Sequence, residues 1–323
     1  MTKSHENIDV RVTGVEQVSA RVKRFTLERL DGEPLPPFTG GSHVIVQMHD
    51  AQGNRFSNAY SLMSDPADTR QYQIGVRLEE QSRGGSAFMH EQVSTGSELV
   101  ITAPNNLFAL ADSHGRHVMV AGGIGITPFL AQLPELHRRA ANYELHYAYR
   151  APEHAAFRDD LIGSPYAARV RFHVDSQGEK LDLSALAQGL QEHDHLYVCG
   201  PQPLIDAVIA AATAAGIPSD RVHWEQFAAA PAPGGAFTVV LARSGTELRV
   251  EAGSSILQAI EASNAADVEC LCREGVCGTC ETRILEGQAE HFDQYLSDEE
   301  KAAQQTVMIL SLIHISEPTR PER

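Results

Sequence analysis

The stretch Cys272-Arg273-Glu274-Gly275-Val276-Cys277-Gly278-Thr279-Cys280 limits what this chain can fold into more than any other. Three thiols stand at C-x4-C-x2-C spacing, with two glycines among them. Thiols at that spacing are three of the four ligands of a [2Fe–2S] site. Glycines let a backbone wrap closely round the sulfides without Cβ clashes. A zinc knuckle, or a chance cluster of buried cysteines, is the competing reading. Cys270 reads as a structural thiol at a strand end. A fourth thiol is wanted about thirty residues after the third. The apolar run Val307-Met308-Ile309-Leu310 arrives there, with Leu310 where the cysteine belongs, and no cysteine follows Cys280. Residues 310–323 read as translated adapter or vector sequence, a non-native tail to be set apart from the fold.

Other bounds are broader. A chain of 323 residues predicts two or three domains. The net charge of −16 argues against nucleic acid or an anionic membrane as a partner, and fits a protein partner with a basic docking face. Four of the five cysteines fall between positions 270 and 280, which favours metal ligation over a disulfide framework. The start has no apolar signal core. The longest apolar span, residues 204 to 217, contains Asp206 and is too short to cross a bilayer. A cytoplasmic, monomeric protein is expected.

Residues 1–110 predict an antiparallel barrel of short strands with Pro/Gly turns. Val10, Val12, Val22, Phe25 and Leu27 alternate with polar residues, and strands are expected at 44–48 and 73–78. Asn58-Ala59-Tyr60-Ser61-Leu62 puts an aromatic and a hydroxyl on one strand, as the wall and polar edge of a flat flavin ring require. Ser82-Arg83-Gly84-Gly85-Ser86 then opens a helix, where free N–H groups, Arg83 and Ser86 suit a phosphate. Tyr60 can equally be barrel packing, and Arg83–Ser86 only a turn.

Residues 111–227 predict a parallel α/β domain. The apolar run 117–121 reads as a buried strand. It leads into Gly122-Gly123-Ile124-Gly125-Ile126-Thr127-Pro128 and a helix, the pattern of a pyrophosphate cradle. Strands follow at 144–149, 170–174 and 196–198. The last ends in Cys199-Gly200-Pro201 before a helix from Leu204 to Ala215, and Cys199 can also be read as a plain buried thiol. Phe227 closes the domain, touching either the flavin or an interdomain face. Arg150 is a candidate for a 2′-phosphate, but it stands without a basic cluster, so NADH is expected over NADPH.

Residues 228–235 form a proline and small-residue linker. Residues 236–309 predict a hairpin around Arg243–Thr246, a serine-capped helix from Ser254-Ser255, and then the cysteine loop.

The two flavin motifs, in this order, resemble the barrel of the ferredoxin–NADP reductase superfamily. There the first motif usually reads Arg-x-Tyr-Ser, and here Asn58 replaces the arginine. The short Gly-Gly-Ser version resembles members that bind FMN. Hairpin, helix and cysteine loop resemble the plant-type ferredoxin β-grasp. Across residues 8–309 the chain resembles the phthalate dioxygenase reductase family, whose order is flavin barrel, nicotinamide domain, C-terminal ferredoxin.

That resemblance implies an FMN site at Asn58, Tyr60, Ser61, Leu62, Gly75, Arg83, Gly84, Gly85 and Ser86. It implies a nicotinamide site at Gly122, Gly123, Gly125, Thr127, Pro128, Cys199, Gly200, Pro201 and Phe227. Cys199, Tyr60 and Ser61 would line the hydride path, and Cys272, Cys277 and Cys280 would hold the cluster. NADH gives two electrons at once, flavin can release them singly, and a [2Fe–2S] cluster carries one. The implied role is therefore the reductase of a Rieske-type oxygenase. Reductases of aromatic-ring or vanillate-type demethylating oxygenases are alternatives, as is a free-standing NADH:flavin reductase. No residue pattern names the oxygenase or its substrate.

Overall fold

A computed structural model describes residues 6–80, 84–227, 235–268, 270–272, 275, 277–291, 293, 295–309 and the backbone of 315–316. It divides into two compact units, one of residues 5–227 and one that contains residues 228–323.

The first unit opens with strands β1 (Asn7–Ser19), β2 (Val22–Arg29), β3 (Ser42–His49), β4 (Arg55–Ser61), β5 (Tyr72–Arg77), β6 (Glu98–Thr102) and β7 (Asn105–Asn106). They pair antiparallel in the order β4-β3-β6-β1-β2-β5, with β7 on β3. A bridge between Leu62 and Ile74 joins the two ends of that path, so the sheet closes into a barrel. Register slips at Val12/Gly14 and Gln17/Ser19 bend β1 along the curve. Every second residue of β1 points inward from Ile8 to Val12, where it meets Phe25, Leu27, Val44 and Val46. Helix α1 (Gly85–Glu91) adds Met89 to this core.

The rest of this unit is a parallel sheet of β8 (His117–Gly122), β9 (Tyr143–Tyr149), β10 (Val170–Val174), β11 (His195–Cys199) and β12 (Val222–Glu225), in the order β10-β9-β8-β11-β12. Every residue of β8 is buried, as a strand covered on both faces must be. The helices are α2 (Thr127–Arg138), α3 (Arg158–Ile162), α4 (Leu183–Gln188) and α5 (Gln202–Ala214). The order reverses at β8, which makes the crevice beyond the carboxyl ends of β8 and β11 the switch point where such sheets bind ligands. α2 carries Pro134 inside it. Nearly all of Thr127–Leu136 is buried, so packing outweighs the helix bond that Pro134 cannot make.

Barrel and sheet share one core. Val22, Met63 and Phe108 cluster with Phe129, Tyr147 and Phe157. Gly40 N donates to Glu135 Oε2 at 2.7 Å, and Gln132 Nε2 to the Phe108 carbonyl at 2.8 Å.

The second unit has β13 (Phe237–Leu241), β14 (Thr246–Val250), α6 (Ile256–Ser263), β15 (Glu281–Arg283), β16 (Gln288–Ala289), α7 (Asp298–Ala303), β17 (Thr306–Met308) and β18 (Ile315–Ser316). They pair as three antiparallel ladders, β13–β14, β15–β17 and β16–β18. The last draws two residues of the 310–323 segment onto β16. A full capping box, Ser255 with Gln258, starts α6. Among the described residues, no helix is long and apolar enough to cross a membrane.

Candidate redox site

In the barrel, β4 lies beside β3 with Val44 opposite Tyr60 and His43 opposite Ser61. Tyr60 is half-buried and packs against the barrel core. The hydroxyl of Ser61 is buried and has no hydrogen-bond partner among the described residues. An orphaned buried hydroxyl is costly to keep, so it marks a place where a polar ligand edge belongs. Leu62 points into the core and can serve a ligand only through its backbone. Asn58 meets the glycine turn: a Cβ placed on Gly85 would lie 1.9 Å from Asn58 Oδ1. The short amide fits where a longer side chain would displace the turn. Gly84 lies under the Phe56 ring, and the Ser86 hydroxyl accepts from Glu79 N at 3.2 Å. Ser82 and Arg83 lie outside the described residues.

At the switch point, two turns meet backbone to backbone. A Cβ on Gly125 would sit 2.2 Å from the Cys199 carbonyl oxygen and 2.7 Å from Gly200 N. Gly122 is packed against Pro201 and Leu204, which leaves it no room for a side chain either. Gly123 differs: its φ is +56°, and a Cβ there would meet no protein atom within 4 Å. It is the point in this turn where a ligand's phosphates can come right up to the main chain. Thr127 gives its hydroxyl to the Ile124 carbonyl at 3.1 Å, and Pro128 is buried at the head of α2. The methyl of Thr127 faces the barrel, 3.0 Å from where a Gly75 Cβ would stand. Gly75 thus serves the seam between barrel strand and nucleotide turn. Phe227 packs against the same shared core.

Cys199 has a neighbour that the sequence pattern hid. Glu225, opposite it in the β11–β12 register, sets its Oε2 3.9 Å from the Cys199 sulfur. Burial raises the Glu225 carboxyl to about 8 and pushes the Cys199 thiol up as well, so both are neutral at pH 7. A buried carboxyl at a strand end, with no cation paired to it among the described residues, signals a site more than a core. The sequence cue was a glutamate closing the strand Val-His-Trp-Glu, directly before Gln226-Phe227.

In the second unit Cys272, Cys277 and Cys280 are all essentially inaccessible, at 0%, 2% and 2%. The Cys272 thiol, hydrogen-bonded to Cys277, lowers the Cys277 thiol toward the thiolate form that binds metal. Gly278, at φ +76°, lies under Tyr295: a Cβ there would meet the ring at 2.2 Å. Cys270 is half-buried and packs on the same core as Cys280. Arg273, Glu274, Val276 and Leu310 lie outside the described residues. Among the described residues, no three His, Cys, Asp or Glu side chains converge as metal donors. Three buried thiols, one of them lowered, fit part of a cluster's ligand set; the fourth member is not among them.

A flavin-type barrel sharing a core with a doubly wound sheet, followed by a three-thiol β unit, defines an NAD(P)H-dependent flavin and iron–sulfur oxidoreductase. Residues 239–311 match the model of the 2Fe-2S iron-sulfur cluster binding domain. The carnitine monooxygenase reductase subunit of Escherichia coli (strain K12) is 55% identical over 305 residues, covering 94% of this chain and 95% of that protein. The heme-dependent oxidative N-demethylase beta subunit of Ectopseudomonas mendocina is 46% identical over 296 residues, 92% of this chain and 93% of that one. The solved structure of phthalate dioxygenase reductase, described as modular for electron transfer from pyridine nucleotides to [2Fe-2S], superposes with a TM-score of 0.72 at 31% identity, covering 96% of both chains. The chain belongs to this family of oxygenase reductases, and its role is electron transfer.

Proposed function

We propose that the chain draws electrons from NADH through FMN and its ferredoxin unit to a Rieske-type oxygenase, in a carnitine-oxidising system. The identity with carnitine monooxygenase reductase subunits across 94% of the chain supports that partner. The relative named for a heme-dependent demethylase is also close, so the acceptor's metal chemistry is the first thing to test. A monomer in the cytoplasm is part of this reading, as are the domain limits 1–110, 111–227, 228–235 and 236–309.

One observation carries the reading: the Thr127 methyl meets Gly75 of β5, so the nucleotide turn and the flavin-type strand touch within one unit. Groups held on the two sides would face each other across this seam, as direct hydride transfer requires. Ser61 would hydrogen-bond the flavin's polar edge, and Tyr60 would wall its ring. Gly84, Gly85, Ser86 and Arg83 would hold its phosphate. Gly123 would admit the pyrophosphate, while Gly122, Gly125, Gly200 and Pro201 fix the two turns. Cys199 and Glu225 keep a dry, neutral floor beneath the nicotinamide, and Phe227 shields the seam. Flavin, when bound, supplies the conversion of a two-electron donor into a one-electron source, and the cluster supplies single-electron carriage.

The purified chain should carry one FMN. Anaerobic NADH should bleach it, and the oxygenase should be captured from the same organism. FAD in place of FMN, or a colourless protein that does not oxidise NADH, would overturn the flavin reading. Capture of a heme oxygenase would overturn the Rieske partner alone.

A further inference from the structure

We infer that residues 1–323 supply only three of the four thiolates a [2Fe–2S] cluster needs, so that the cluster is labile and the two electrons of NADH, which two ferricyanides can still take from the flavin, do not pass on through the second unit to cytochrome c. This rests on the ferredoxin reading of the second unit.

The fold shows where the fourth ligand has to come from. β17 runs antiparallel to β15, with Met308 opposite Glu281. Ile309 N then approaches the Cys280 carbonyl at 3.5 Å, while its own carbonyl accepts from Leu257 N at 2.9 Å. Both bonds hold the Ile309 backbone beside that of Cys280, and the next position in the sequence is where the cysteine spacing calls for the fourth thiol. That residue is Leu310, which has no lone pair to offer.

Among the described residues, nothing else in the unit takes its place. The chain has five cysteines. Cys199 belongs to the other unit, where it faces Glu225. Cys270 stands two residues from Cys272 and packs its half-buried side chain on the apolar core. His291 and Asp293 are buried, but they are turned to each other, Nδ1 to Oδ2 at 3.7 Å, and Asp293 Oδ1 is occupied by the N–H groups of Tyr295 and Leu296. Neither joins the thiols among the described residues. Two tetrahedral irons bridged by two sulfides need four terminal ligands. With three thiolates, one iron must take water or hydroxide, a harder and weaker ligand for a thiophilic cluster.

The experiment compares the chain of residues 1–323 with Leu310→Cys, each with and without Cys270→Ala. All four are reconstituted anaerobically with iron and sulfide and passed over a chelating column. Iron, sulfide and FMN per chain are measured, with low-temperature EPR of the reduced proteins. We expect iron below the full complement in the unaltered chain. Leu310→Cys should retain cluster about 10–100-fold more tightly, since losing even an outer-shell partner costs that much in metal affinity. Cys270→Ala should change neither. With ferricyanide, each NADH should reduce two acceptors and release one proton in all four proteins; cytochrome c reduction should rise only with Leu310→Cys. A full, chelator-resistant rhombic signal in the unaltered chain overturns the inference, and needs no variant to fold. So does a cluster that Cys270→Ala abolishes. FMN content and ferricyanide turnover report on the flavin reading separately, so its failure is not confused with this one.

Discussion

The two units are held together in different ways. Residues 5–227 close a barrel through the Leu62–Ile74 bridge and stack it on a five-stranded sheet. All the largest fully buried side chains, Tyr72, Tyr147, Tyr197, Phe25 and Phe129 among them, lie there. Among the described residues, the second unit has three two-stranded ladders, none with strands longer than five residues, and a core that includes Cys280 itself. Small domains that bury little apolar surface lean on a metal for stability. One unit therefore shapes its sites with a finished core, whereas the other needs a ligand set to finish its core.

Breaking the first unit from within should give the largest effect. Gly125→Ala drives a Cβ into the Cys199 carbonyl, where only backbone can yield. We expect about 3 kcal/mol or more of destabilisation and loss of NADH turnover. Thermal unfolding followed by flavin release should record it, while ligand-dependent behaviour of the second unit stays unchanged. Gly123→Val sharpens the same point. Its Cβ meets no protein atom within 4 Å, so the backbone cost is that of the left-handed φ of +56°, about 1–2 kcal/mol. The Michaelis constant for NADH should rise with FMN still bound. An unchanged constant would remove the cradle assignment.

Arg83→Ala comes next. One cationic phosphate contact is worth about 1.5–3 kcal/mol, or roughly 10–100-fold in FMN retention. Equilibrium dialysis of the variant checks this, and equal affinity would move the phosphate contact elsewhere.

Acid should also divide the units. Burial holds His146 and His223 down to about 4, against 6.5 when exposed. Below 6.5 the unfolded chain takes up protons that the folded sheet refuses. Stability contributed by these groups is therefore complete above that value and is lost as pH falls toward 4. The unit of residues 5–227 carries both and should lose flavin and near-UV signal across that window. His146→Gln should soften the loss.

The contrast also explains what could be read from sequence. Short-range signals were legible: the alternation in β1, the apolar run of β8, the glycine turns and the thiol spacing all act within a few residues. Barrel closure through Leu62 and Ile74 was not, because it joins strands that pair at the ends of the sheet path. The full length of α2 was not, because Pro134 is tolerated inside it only through the buried face around it. Gly75 could be placed on a strand, but its contact with Thr127 exists only once two domains meet. Glu225 was passed over because a carboxylate breaks the apolar pattern by which buried strands are recognised.

Glu225→Gln is the least disruptive substitution in shape and the one that isolates this residue. In the folded chain burial raises the carboxyl from 4.5 to about 8. Between those values the unfolded chain gives up the proton and the folded chain keeps it. The folded state then binds more protons, so stability falls as pH rises through the window. Glutamine keeps the shape and cannot ionise. The variant should match the parent near pH 4.5 and gain on it steadily toward pH 8, by about 1.4 kcal/mol for each unit the carboxyl is raised, as chemical denaturation at the two values would record. A merely structural carboxyl would do no more. If the floor beneath the nicotinamide must stay neutral, stopped-flow flavin reduction by NADH should change above pH 8 in the parent and stay flat in the variant. Parallel profiles would leave Glu225 a packing residue and put the pH response of hydride transfer elsewhere in the unit.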